Sequence, residues 1–224
     1  MLATAGAAAA LPVPLRAIGA SRPPLSLFFP QDPLVTWFQP TYGLVKPDGR
    51  RHLGIDLMAP KLPPVYAISD GTVTRITKSP RAGRYVIVEH EDGWQSWYLH
   101  LNNDDPGRDN GRADWSLTVA AGVEEGSRIA TGQPLGFVGD SGNAEGTLSH
   151  THFELHLGSR TVNPYPYLLD GLAVALAEAE RQQLVATVEA KCHPEGHVPS
   201  VDGWVCPAVE IAPPEIPRGV SGLF

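Results

Sequence analysis

The chain has 224 residues, and its 42% hydrophobic and 18% charged content is that of a folded domain, which excludes disorder as a description of the whole. Its 23 glycines and 22 prolines, about a fifth of the chain, favour turns and short strands over a helical bundle. Seventeen Lys and Arg against 24 Asp and Glu give a net charge of −7, which argues against nucleic acid or anionic lipid as partner, and no apolar run is long enough to cross a bilayer as a helix.

In chain order, residues 1–32 read as a leader and extended arm. The small apolar stretch in MLATAGAAAALPVPLRAIGA is like the core of an export signal but lacks a basic start, Arg16 lying on the wrong side, so a truncated signal and a flexible Ala/Pro-rich leader both remain open. Residues 21 to about 50 alternate proline, aromatic and polar residues, an extended approach that wraps a domain surface. Between 52 and 101 the runs VYAIS, GTVTRIT, RYVIVEHE and WQSWYLHL are separated by Pro63-Pro64, Asp70-Gly71 and Asp92-Gly93, a pattern that predicts an antiparallel sheet. Asp92-Gly93 is a type I′ hairpin signal, with positive φ required at both residues.

A polar loop, NNDDPGRDNGRADW, follows before strands resume, and loops of that length often border a site. SHTHFELHL, residues 149–157, alternates strictly and predicts the last strong strand. At Asp170 the composition turns to Ala, Leu, Glu and Gln, with Leu172, Leu176 and Leu184 near helical spacing, which predicts a closing helix over 169–190 with Asp170 as its N-cap. The tail 191–224 is Pro/Gly-rich and carries both cysteines, Cys192 and Cys206. The expected fold is mainly β: an antiparallel sheet or sandwich-like domain over 33–168 with long loops and one C-terminal helix.

Six of the eight histidines lie between residues 52 and 156. A pleated strand through SHTHFELHL puts His150, His152, Glu154 and His156 on one face and Thr151, Phe153, Leu155 and Leu157 on the other. Two imidazoles spaced in this way serve as two ligands of one metal, or as one ligand beside an acid or base. His52 and Asp56 are a donor pair suited to Zn²⁺, but a straight strand would hold their α-carbons about 13 Å apart, so sharing a metal requires a bend, for which Gly54 offers positive φ. An ordinary loop with Leu53, Ile55 and Leu57 buried explains the same spacing. In WQSWYLHL, alternation groups Ser96, Tyr98 and His100 on one face and Trp97, Leu99 and Leu101 on the other, while His90 reads as structural.

Taken together, H-x3-D at 52–56, D-G-T-V near 70, V-I-V-E-H-E-D-G leading into Y-L-H-L, G-Q-P-L-G-F-V-G-D-S-G at 132–142 and H-T-H-F-E-L-H at 150–156 resemble, in order, the M23 (lysostaphin-type, LytM-like) metallopeptidases over residues 33–168. The resemblance implies His52, Asp56 and His152 as ligands of one Zn²⁺ per chain, with a coordination position left open. It implies His100 and His150 as the catalytic pair, one taking a proton from the attacking water, the other stabilising the oxyanion or protonating the leaving amine, without saying which does which. Glu154, on the same face, could orient a neighbouring imidazole, and Tyr98 and His156 are further candidates for supporting or substrate roles.

The implied activity is hydrolysis of peptide bonds in peptidoglycan, in the stem peptide or the interpeptide bridge, by a secreted or envelope-located monomer. The alternative is a catalytically silent module of the same fold that binds cell wall or activates another hydrolase. A biotinyl/lipoyl-like carrier, suggested by the glycine pattern at 122–136, lacks a lysine at a hairpin tip. Asp104, Asp105, Asp109 and Asn110 of the 102–115 loop offer oxygen donors for Ca²⁺, and CHPEGHVPSVDGWVC offers either a Cys192–Cys206 disulfide, expected for an exported chain, or a Cys2His2 zinc site with His193 and His197.

Overall fold

A computed structural model describes residues 27–191 and the short paired strands Val198–Ser200 and Gly203–Val205. The leader, both cysteines, His193 and His197 lie outside the described residues. No described helix is long and apolar enough to cross a membrane.

The Asp92-Gly93 turn takes left-handed φ values of +56° and +76° and folds β4 (Gly83–Glu89) back on β5 (Trp94–Leu101). Around this hairpin grows a seven-stranded sheet in the order β1-β8-β5-β4-β3-β6, with β9 beside β8 and every pairing antiparallel. Its other strands are β1 (Ile55–Met58), β3 (Gly71–Ser79), β6 (Arg128–Ile129), β8 (His150–Leu157) and β9 (Arg160–Val162). A separate pair, β2 (Pro64–Tyr66) with β7 (Pro134–Phe137), closes over it. The VYAIS run is shorter as a strand than its composition suggests, because beyond Tyr66 its backbone turns inward and the Ile68 amide donates to the Tyr98 hydroxyl at 3.0 Å.

One face of the sheet packs the core. Ile55 and Leu57 of β1, Val86 and Val88 of β4, Tyr98 of β5 and Phe153 and Leu155 of β8 are essentially inaccessible to solvent. Each such apolar side chain contributes about 1.5–3 kcal/mol of burial free energy. The arm ahead of β1 completes this layer: Phe29 enters the core, the Gln31 amide donates to Thr151 Oγ1 at 3.1 Å, and Trp37 pairs with Met58.

Strand β5 departs from simple alternation. Ser96 and Tyr98 do face the core, but His100 takes a left-handed φ of +61°, and pairing with β4 passes from Val86↔Tyr98 to Arg84↔Leu101. Three steps on β5 match two on β4, a bulge that carries one extra residue. Leu101 is thereby returned to the core, and His100 leaves the face of Ser96 and Tyr98 to join that of Trp97 and Leu99, correcting the grouping expected from period 2.

The closing helix α1 spans Tyr165–Lys191 and so begins ahead of the expected Asp170. The cap is Asn163, whose side-chain oxygen accepts the Tyr165 amide at 3.0 Å, with Pro164 in the first turn where its missing N–H costs nothing. Leu168 is buried in the core and Leu172 packs against it, while Leu176 is exposed. Leu184 falls among side chains outside the described set.

Candidate metal centre and its groove

The sheet register brings Asp56 of β1 directly opposite His152 of β8, with Met58 opposite His150 and Leu99 of β5 opposite His152 on the other side. His52 reaches the same point from the segment before β1, anchored by its amide to Leu44 O at 2.8 Å and by its carbonyl to the Gly43 amide at 2.7 Å. The chain bends at Gly54 as expected, but without positive φ. The glycine is needed for space: a Cβ there would lie 2.2 Å from Phe153 O and 2.9 Å from His152 Nε2. Ile55 and Leu57 are buried, whereas Leu53 is exposed on the groove wall, a correction to the loop reading that buried all three.

Three ligand atoms converge. His52 Nε2 lies 3.1 Å from Asp56 Oδ1 and 2.9 Å from His152 Nδ1, and His152 Nδ1 lies 2.7 Å from Asp56 Oδ1. The opposite ring nitrogens are already committed. His52 Nδ1 faces the Thr41 carbonyl at 3.2 Å, which can only accept, and His152 Nε2 faces the Glu154 carboxylate at 3.0 Å. With those nitrogens as donors, neutral His52 and His152 present bare lone pairs to each other and to a carboxylate oxygen. Three acceptors face one point, and only protons or a metal cation can satisfy it. Burial lowers the His152 pKa, yet hydrogen bonds to Asp56 and Glu154 outweigh it and hold the imidazole above its ordinary value. Burial likewise raises Asp56, but the hydrogen bonds from His152 and His52 hold its carboxyl well below the usual range.

The set fits a metal of the zinc type. Tetrahedral Zn²⁺ with ligands at about 2.1 Å spaces them about 3.4 Å apart, so the triangle has to open by only a few tenths of an ångström.

Two further imidazoles border this triangle. His100 Nδ1 donates to the Ser141 carbonyl at 2.8 Å and His150 Nδ1 to the Leu148 carbonyl at 2.8 Å, which leaves both Nε2 atoms without protons in the neutral rings. His150 Nε2 is 3.8 Å from Asp56 Oδ1, and the two ring centroids are 5.1 Å apart. Burial, followed by repulsion from His150 and His152, pushes the His100 pKa down to about 3.

The arrangement has relatives. Residues 50–108, which include His52, Asp56 and His100, match the profile of Peptidase family M23. A Haemophilus influenzae protein named an uncharacterized metalloprotease is 31% identical over 150 residues, covering 66% of this chain and 27% of that protein. The peptidoglycan DD-endopeptidase ShyA of Vibrio cholerae is 29% identical over 135 residues, covering 60% of this chain and 27% of ShyA. Among solved structures, a Ruminococcus gnavus protein described as a candidate glycyl-glycine endopeptidase, lytM, superposes with a TM-score of 0.50 at 25% identity, over 64% of this chain and 59% of that one. Over residues 50–108 this chain carries the profile of peptidase family M23. It spans about a quarter of the length of the curated relatives it matches.

The contacts continue outward from the His52, Asp56 and His152 triangle. Glu154 bridges His152 to His156, its Oε2 lying 2.7 Å from His156 Nε2, and His156 stacks on Trp97 at 4.4 Å with an interplanar angle of 17°. Burial raises the Glu154 carboxyl, but these two imidazoles outweigh it and bring it down to about 2. The sequence pattern missed two residues here. Trp97, not its neighbour Tyr98, lines the groove; Tyr98 is wholly buried on the opposite face, its hydroxyl 3.0 Å from Ser96 Oγ, which removes it from the substrate candidates. Ser141 is the other: besides holding His100, its hydroxyl donates to Leu101 O at 2.6 Å and accepts the Arg84 amide at 2.9 Å. The G-D-S-G signal was visible, but the partner it serves was not. His90 is structural as expected, its ring nitrogens at 2.7 Å from Asp70 O and 2.7 Å from Ser96 Oγ.

The structure does not support the acidic loop as a calcium site. Lys61 Nζ sits 2.5 Å from Asp104 and 3.2 Å from Asp109 of the loop and 2.8 Å from Asp140 of the G-D-S-G segment beside it, so the chain supplies the cation itself. Burial lowers Lys61, but these three carboxylates outweigh it and raise it above its ordinary value.

Proposed function

We propose that this chain is a zinc-dependent endopeptidase that hydrolyses peptide bonds of peptidoglycan, acting as an exported, envelope-located monomer. The observation that carries the reading is the convergence of His52, Asp56 and His152 as three acceptors around one point, with the Nε2 atoms of His100 and His150 beside it. Zinc held by those three residues would supply a Lewis acid that polarises the scissile carbonyl and makes water nucleophilic near neutral pH. His100 and His150, tethered through Nδ1, are poised to accept a proton from the attacking water and to return one to the departing amine or stabilise the oxyanion. Glu154 fixes the His152 ring and its tautomer. No serine or cysteine nucleophile is required. The peptidoglycan-acting relative ShyA supports the substrate class.

Digestion of purified peptidoglycan tests the reading. Soluble fragments with newly exposed amino groups are expected, abolished by a chelator and restored by Zn²⁺. A zinc-loaded protein that binds the wall but exposes no amino groups would overturn it.

A further inference from the structure

We propose that the groove beside the metal centre carries a carboxylate-binding subsite formed by Lys46, Arg51 and Arg81, so that the peptide taken is an acidic one; this rests on the peptidase reading above. The groove has a volume of about 310 Å³ and runs between two walls. One wall is the segment before His52, which brings Lys46 and Arg51 to the groove and is held by the Val45↔Arg51 bridge and by the Lys46 amide on Arg50 O at 2.7 Å. The other is the β3–β4 turn, which brings Arg81.

The charges on these walls are not cancelled inside the groove. Its one carboxylate, Glu154, is buried and already shared between His152 and His156. Lys46 and Arg81 make no side-chain hydrogen bond or ion pair among the described residues, and Arg51 reaches only the Gly43 carbonyl, at 3.1 Å. Asp48 nearby is taken by Arg50. Three cations thus border one groove in a chain whose net charge is −7. Between them Leu53, Trp97 and Leu99 supply an apolar part of the lining.

An apolar patch between cationic rims suits an extended peptide whose backbone and alkyl parts lie on Trp97 while a free carboxylate near the scissile bond reaches the rim. A neutral all-glycine peptide has nothing for that rim to hold.

The test uses two synthetic peptides identical but for one side-chain carboxylate changed to carboxamide. Binding is followed by tryptophan fluorescence on chelator-treated protein, so that direct coordination of the carboxylate to zinc contributes nothing. The acid is expected to bind about tenfold more tightly at low salt, from two or three exposed ion pairs, with the preference shrinking at high salt. In the Lys46→Gln/Arg81→Gln variant, both changes being at the surface, the preference should fall to near unity with an unchanged thermal midpoint. Equal binding of the two peptides by the unaltered protein overturns the subsite. Cleavage by the zinc-loaded protein separates the two readings. Equal binding with equal cleavage removes the subsite alone, and an acid preference without any cleavage removes the peptidase reading and leaves the subsite.

Discussion

Two clusters of metal-type side chains lie on this domain, and the comparison between them explains what a binding site requires. At His52, Asp56 and His152, lone pairs converge and the outer ring nitrogens are tied to Thr41 and Glu154, so no donor of the chain is left to fill the centre. At Asp104, Asp109, Asp140 and Glu145 the residue types are at least as suggestive, but Lys61 from a distant segment puts an ammonium in the middle. Ligand types crowd together in both. The difference is whether the fold brings its own cation.

That contrast can be broken most severely at Asp56. Asp56→Ala should reduce zinc from about one per chain to near none and lower activity by about a thousandfold or more, read by metal analysis and peptide cleavage. His100→Ala should keep the zinc and lower kcat by about 10²- to 10⁴-fold; equal zinc loss in both variants would refute the separation of ligands from proton-transfer groups.

The second cluster is tested by removing its ammonium. Lys61→Ala leaves buried Asp104 and Asp140 unpaired and should cost about 2–3 kcal/mol in urea unfolding. Calcium should recover part of that loss in the variant and leave the unaltered protein unchanged; calcium stabilisation of the unaltered protein would erase the distinction.

A smaller effect is expected at Ser141, which acts on His100 through its carbonyl and on β4 and β5 through its hydroxyl. Ser141→Ala should lower kcat about tenfold at constant zinc content and unchanged KM, as a loosely held imidazole loses geometry rather than substrate. The smallest lies at His90, an imidazole with both nitrogens taken and no lone pair left for a metal. Burial holds its pKa below the ordinary 6.5, so its contribution to stability is complete above that value and declines as pH falls below it. Unfolding at descending pH should show a shallower loss in His90→Gln than in the unaltered protein.

Strict alternation in β8 made His150, His152 and Glu154 legible as one face, because a strand's side-chain period is a local property of its backbone. The same rule misplaced His100, since the bulge that turns it away from Tyr98 is fixed by pairing with β4 and by the docking of Ser141. Asp92-Gly93 announced its hairpin by local φ preference, whereas Gly54 was recognised as a bend without its cause, a Phe153 carbonyl about a hundred residues away in sequence. The helix starts at Asn163-Pro164, ahead of the change in composition at Asp170, because the Asn163 side chain accepts the Tyr165 amide.

What the amino-acid order determined by itself was the set of strands, the main turn and the histidine-rich face, all of which follow from the conformational preferences of neighbouring residues. Tertiary structure alone decided which cluster of metal-type side chains is left without a cation, which side of β5 His100 joins, and that Trp97 rather than Tyr98 meets the groove. Each of those outcomes depends on groups remote in the chain competing for the same few ångströms, and no local periodicity encodes that competition.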